Sequence, residues 1–260
     1  MAVTVMMAVA APAIAAAQSD SRQTFADIFT TTAPASATGL RLEIDYRDPA
    51  NPGGKPYAVA RILQALHPGT RIDTAVPPRC AASNEQLMAH GAAACPPETR
   101  VGGGELSVDT GSDVPGPRVI ENRVTFFNAD DEIILFTEST NTSGAPIRTA
   151  GRTAVGDGSL TSTVPPVPAA PPPDPFLAIL RVRVMLESYE RNGRAFITTP
   201  PECPPGGMWT NRGTFTYRDG VEQTVASGTP CAATPPERRE GEAVPTEPPP
   251  PRCRGGWVGV

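Results

Sequence analysis

Residues 176–186 read FLAILRVRVML, and their alternation decides the fold class. Phe176, Ala178, Leu180, Val182, Val184 and Leu186 fall on one side of an extended chain, and Arg181 and Arg183 fall on the other. Period-two patterning marks a strand with one buried and one wet face. Just beyond, YERNGRAF (189–196) carries Asn192-Gly193, which suits a two-residue type I′ hairpin. That register sets Tyr189 opposite Phe196, a stabilising cross-strand pair. Asp219-Gly220 in TYRDGVEQ (216–223) predicts another hairpin. A simple two-residue turn there puts Phe215 opposite Thr224 and Tyr217 opposite Glu222, with Val221 and Val225 on the other side. A bulge that shifts the register is the alternative.

Working outward, TGLRLEIDYR (38–47) alternates as cleanly: Thr38, Leu40, Leu42, Ile44 and Tyr46 face one way, Arg41, Glu43 and Asp45 the other. YAVARILQAL (57–66) fits strand or helix, and its strand neighbours favour strand. ELSVDT (105–110) is a short strand, NRVTFFN and EIILFTE flank a turn as a hairpin, and APIRTAGR (145–152) is a weaker strand. The proline run of 163–175 offers too few amide donors for a central sheet and is expected to be an extended crossover. Neither side of it holds enough long apolar strands for its own core, so 38–231 is expected to be one domain. Many short strands with frequent turn signals predict an antiparallel β-sandwich, with a jelly roll as one form of it.

Glycine and proline supply 24 and 32 of 260 residues, a share that favours turns and excludes long helices. The net charge is −5, with no lysine or arginine cluster, which argues against a nucleic-acid partner. Residues 1–17 form an apolar run broken by Pro12 and ending in an A-x-A pattern at Ala15 and Ala17, the core and cleavage site of a secretory signal peptide. The run is shorter than the roughly 20 residues a spanning helix needs, and no later stretch reaches that length, so no transmembrane span is expected in the mature chain. The run lacks a basic n-region, so the natural start is expected upstream. Residues 18–37 read as an extended leader with one candidate strand at FADIFTTT, and 232–260 as a disordered, proline-rich tail.

Export makes the five cysteines legible as disulfides. Nearest-neighbour pairing gives Cys80–Cys95 and Cys203–Cys231, worth about 3 and about 3.6 kcal/mol by loop entropy, and leaves Cys253 as an unpaired thiol. Inside the first loop, Ser83 and Gln86 have capping-box spacing and Gly91 suits a helix C-terminus, so 84–90 is a two-turn helix held by its staple. A metal site would need a second ligand pair at zinc spacing; there is no C-x₂-C, and His90 is read as a last-turn residue favoured by the helix dipole.

No hydrolase elbow, zinc-protease motif, P-loop or dinucleotide fingerprint is present. Gly102-Gly103-Gly104 precedes a strand, the wrong context for cradling phosphate. His67, before Pro68, reads as a turn residue. Asp109 and Asp113, with Asp130, Asp131 and Glu132, are candidate calcium ligands across loops, but neither group fits the EF-hand pattern and both read better as solvated turn acids. Asn141-Thr142-Ser143 matches a glycosylation acceptor, discounted for a composition of bacterial type. Trp209, Phe215 and Tyr217 are the candidate ligand platform for sugar rings, against the alternative that this stripe is core.

The stretch CAASNEQLMAHGAAACPPETRVGGG (80–104), with ITTPPECPPGGMWTNRGTFTYRDG (197–220), resembles paired cysteine blocks in a family of secreted, cysteine-stapled β-rich proteins of high-GC Gram-positive bacteria. The matching residues are Cys80, Ala82-Ser83, Gln86-Leu87, Ala94-Cys95-Pro96 and Val101-Gly102; Gly103, Gly104 and Cys253 depart from the pattern. The resemblance implies export and disulfides and carries over no catalytic residue. The expected function is a non-enzymatic, exported protein with a cell-surface binding or structural role, needing no cofactor or metal, whose partner is a glycan, lipid or protein. Cys253 would offer a covalent tether to a partner. An extracellular hydrolase using carboxylates or His67 is the alternative.

Overall fold

The structure, a computed structural model, describes residues 20–111, 117–140, 144–167 and 175–232. The expectations for residues 1–17, Asp113, Asn141–Ser143, the middle of the proline run, the tail and Cys253 fall outside the described residues. Within them the chain is mainly antiparallel β. Its strands are β1 (Gln23–Phe29), β2 (Leu40–Tyr46), β3 (Val59–Ala65), β4 (Arg71–Ile72), β5 (Arg100–Asp109), β6 (Val119–Asn128), β7 (Glu132–Thr140) and β8 (Pro146–Gly156). They continue with β9 (Ser159–Thr163), β10 (Ala178–Leu186), β11 (Glu190–Arg191), β12 (Arg194–Ala195), β13 (Ile197–Thr198), β14 (Met208–Tyr217) and β15 (Glu222–Pro230). One short helix, α1 (Asn84–His90), lies between β4 and β5.

Eleven strands form one sheet in the order β1-β2-β10-β5-β6-β7-β8-β9-β3-β14-β15. The sheet doubles over, so the two layers of the expected sandwich belong to one continuous ladder and its two edge strands meet. They meet through side chains. The Asp27 and Phe29 amides donate to Ser227 Oγ (2.9 Å) and Thr229 Oγ1 (3.1 Å), and the Arg22 amide donates to Gln223 Oε1 (2.9 Å). Asn211 Nδ2 of β14 donates to the Asp27 carbonyl (2.9 Å). Each bond satisfies a backbone group that a free sheet edge would leave unpaired. Arg22 clasps the same corner, stacked 3.6 Å from the Tyr57 ring centroid and paired with Asp219 at 2.8 Å. The stretch read as an extended leader with a candidate strand at FADIFTTT contains β1, which pairs with β2 along its whole length.

Several local readings are met in detail. Asn192 and Gly193 both have positive φ (52° and 71°), as a type I′ turn requires, and the Phe196 amide donates to the Tyr189 carbonyl. Ser83 and Gln86 form a reciprocal capping box on α1. Both expected disulfides form, Cys80–Cys95 and Cys203–Cys231, with Cα separations of 5.3 and 5.6 Å. The simple register at Asp219-Gly220 is corrected: Phe215 pairs with Gln223, and the Tyr217 amide donates to the Val221 carbonyl. The longer turn puts Val225 on the same side as Phe215, beside the polar Gln223, Ser227 and Thr229 that face the seam. In β10 a shift between Ile179 and Arg181 likewise removes Leu180 from the inward row and brings in Ile179.

β5 is longer than expected and takes in the glycine triplet. A Cβ on Gly104 would lie 2.1 Å from the Arg183 carbonyl oxygen, and one on Gly102 2.1 Å from that of Met185. These glycines let β5 approach β10. On the outer face of β7 and β8, α1 buries Leu87 against Phe127, Ile134 and Phe136, beside Cys80 and Cys95. Arg148 donates to the Ala89 carbonyl (3.1 Å) and Arg152 to that of Ala82 (2.8 Å), fastening the stapled segment to the sheet.

The seam carries one costly group. Asp27 is fully buried, neither carboxyl oxygen has a hydrogen-bond partner, and burial pushes its pKa up from 3.8 to about 8. Below about pH 4 both folded and unfolded chains hold the neutral acid; as pH rises toward 8 only the unfolded chain ionises freely, so stability falls. Urea unfolding across that range should show a decline of a few kcal/mol, and Asp27→Asn should flatten it. An unchanged slope in the variant would place its origin elsewhere. Gly104→Ala should destabilise the fold by more than about 2 kcal/mol, read from the denaturation midpoint, because the new methyl meets backbone.

Candidate functional site

The interior between the two layers is filled unevenly. On the seam side the aromatic rings interlock edge to face, Phe25 with Phe215 at 5.7 Å, Phe29 with Trp209 at 5.7 Å and Tyr46 with Phe215 at 5.9 Å. Such pairs add about 0.5–1.5 kcal/mol each beyond area burial. Trp209 is 0% exposed, and Phe215 and Tyr217 are buried with it, so the candidate ligand platform is core and offers no stacking face to solvent.

Away from the seam, the inner faces of β2, β3 and β5–β10 enclose a cavity of about 280 Å³. Its walls are mostly aliphatic, with Leu42, Leu106, Leu135, Leu160 and Val182 among them. The hollow has a sequence cause. The inward positions of β8 are Thr149, Gly151 and Thr153, short side chains where a filled core would need long ones. A Cβ placed on Gly151 would meet no atom within 4 Å.

Among the described residues, one end of the cavity is closed and the other open. Phe196 and Ile197, both 0% exposed, pack into the end where Leu40, Leu66 and Leu186 lie, and β13 pairs with β4 across it. At the opposite end the lining residues Ile147 and Val167 are 40% and 36% exposed, and Val119 is exposed beside them. Lys55 Nζ donates to the Phe176 carbonyl (2.8 Å), and Arg218 stacks 5.0 Å from the Phe176 ring centroid and bonds the Val164 carbonyl. These cations hold the chain that forms the rim.

The chemistry of the wall is neutral. Arg152, the lining residue with a charge among the described residues, directs its guanidinium to Glu132 (3.1 Å) and the Ala82 carbonyl, outside the cavity. Thr153 and Ser162 hydroxyls bond each other (2.8 Å), as do those of Thr137 and Thr149. Asn122 donates to the Leu106 and Ile120 carbonyls at 3.3 Å. Such a lining removes apolar surface from water and offers no nucleophile or acid–base pair.

The residues weighed for chemistry in the sequence are dispersed. His67 Nδ1 accepts the Thr210 amide (3.0 Å) and its own amide donates to Asn211 Oδ1 (2.9 Å), so it ties the end of β3 to β14. His90 sits in the last turn of α1 on the outer face. Asp109 is held by Arg118 (2.9 Å), Asp130 by Arg79 (2.7 Å) and Glu132 by Arg152; Asp131 accepts from Thr74 (3.2 Å). These acids form no cluster able to hold a metal among the described residues. No described helix is long and apolar enough to cross a membrane. The cavity was missed by sequence reading, although Thr149-x-Gly151-x-Thr153 opposite aliphatic strands was its signal. The chain matches no family model, no curated protein and no solved structure.

Proposed function

We propose that this chain is an exported, non-enzymatic binding protein that carries a small apolar molecule in its interior cavity. The observation behind the reading is the cavity itself: about 280 Å³, aliphatic, and open at one end among the described residues. An apolar cavity of roughly 150 Å³ already takes up benzene, because water gains little there and an apolar guest recovers lost dispersion contacts. The volume lies near the lower end of the roughly 300–1,000 Å³ typical of small-molecule sites, which favours a compact, lipid-like ligand over a glycan or a protein. Two disulfides and the apolar amino-terminal run support export. The hydrolase alternative has less behind it, since His67 and the acids are committed to structural bonds away from the cavity.

Titration with N-phenyl-1-naphthylamine, a neutral fluorescent apolar probe, tests the reading. Saturable binding near one probe per chain is expected. Gly151→Leu points a side chain into open space, so it should abolish binding while leaving the melting temperature unchanged or higher. Equal binding by the variant, or no saturable binding by the wild type, would overturn the proposal.

A further inference from the structure

Among the polar side chains lining the cavity, Gln64 is treated differently by its surroundings. It lies on the inner face of β3, opposite Leu160 of β9 on one side and Gly213 of β14 on the other. It is 6% exposed and lines the cavity, and among the described residues its carboxamide has no hydrogen-bond partner. The other hydroxyls and the amide on the deeper wall bond one another or backbone. Ser139, whose hydroxyl also lacks a partner, stands at the mouth opposite Ile147. Gln64 stands three residues along β3 from the Arg61–Thr163 pair at the mouth, about 10 Å inward at strand spacing.

An amide that faces an aliphatic cavity without a protein partner is bonded only by what enters that cavity, and it weakens the packing of the fold when nothing does. Leucine would have suited the folded core better at this position. The amide brings both a donor and an acceptor, and no charge. A charged ligand group at that depth would be desolvated with no counter-ion, since the Arg152 guanidinium is spent on Glu132 outside the wall. A hydroxyl, carbonyl or ester would be matched.

Given that the cavity takes an apolar ligand, we infer that Gln64 is its specificity-determining residue, selecting a compact aliphatic molecule with one uncharged hydrogen-bonding group at its inner end. The bulk of the ligand then contacts the aliphatic wall, and the polar group satisfies the amide. A site of this design discriminates against the analogue that lacks the polar group, because binding it would leave the amide buried and unpaired.

The test compares octan-1-ol with n-octane, which differ by one hydroxyl, as competitors of N-phenyl-1-naphthylamine on wild type and Gln64→Leu. The ratio of alcohol to alkane affinity should fall about three- to tenfold in the variant, and comparing ratios cancels the different water solubilities. The melting temperature of the ligand-free variant should rise by about 2–4 °C as the unpaired amide is lost. Both competitors binding with an unchanged ratio would overturn the role of Gln64 and leave the apolar-carrier reading standing. A destabilised variant would also overturn it, by showing that the amide supports the fold. Failure of both competitors to displace probe from wild type would instead remove the carrier reading, and this inference with it.

Discussion

A sheet that folds back on itself must dispose of two edges, and the way β1 and β15 meet governs the rest of this molecule. A ladder between them would have fixed their separation at the roughly 4.8 Å of paired strands. Here Gln223, Ser227 and Thr229 reach across to backbone amides at the start of and along β1, so the strands stand a side chain apart. That extra spacing makes room for the aromatic wedge of Phe25, Phe29, Trp209 and Phe215. The wedge props the layers open, and the opposite half, furnished with short side chains, is left hollow. Asp27, buried at the seam, is destabilising there because it ionises only at the expense of that closure.

The wall around the hollow is built in two thicknesses. Its inner surface is aliphatic on β7 and thin on β8 at Thr149, Gly151 and Thr153, and its outer surface is covered by the segment held between Cys80 and Cys95. Because side chains alternate across a strand, Ile133 and Leu135 serve the cavity while Ile134 and Phe136 serve the stapled helix. This double use explains why EIILFTE reads as a nearly continuous apolar run. A strand wet on one face would have shown the cleaner alternation of β2.

What could be read from the sequence was what neighbouring residues decide. The cap at Ser83 and Gln86, the turn at Asn192-Gly193 and the alternation of β2 each depend on chemistry within a few positions, and each is present. β1 was legible only in part, as the candidate strand FADIFTTT, because Gln23 and Asp27 occupy inward positions where apolar residues would have completed the pattern. The register of β14 and β15 turned on one extra loop residue, which local patterning does not determine. Trp209 and its neighbours could be core or platform until the doubling of the sheet covered them. The cavity was the least legible feature. Thr149, Gly151 and Thr153 look like an ordinary weak strand, and only the distance to the opposite layer turns short side chains into empty space.

That empty space also bears on how the molecule responds to compression. Unfolding floods an internal void with water, so the unfolded system occupies less volume, and hydrostatic pressure favours it in proportion to the void lost. A cavity of about 280 Å³ between two sheet layers would therefore lower the pressure at which the fold opens, and a guest within it would raise that pressure again. The seam would bear that difference, because layers joined by hydroxyls and an amide yield to inward load more readily than layers joined by a ladder. Occupancy of the cavity would thus be legible as a mechanical property of the whole shell.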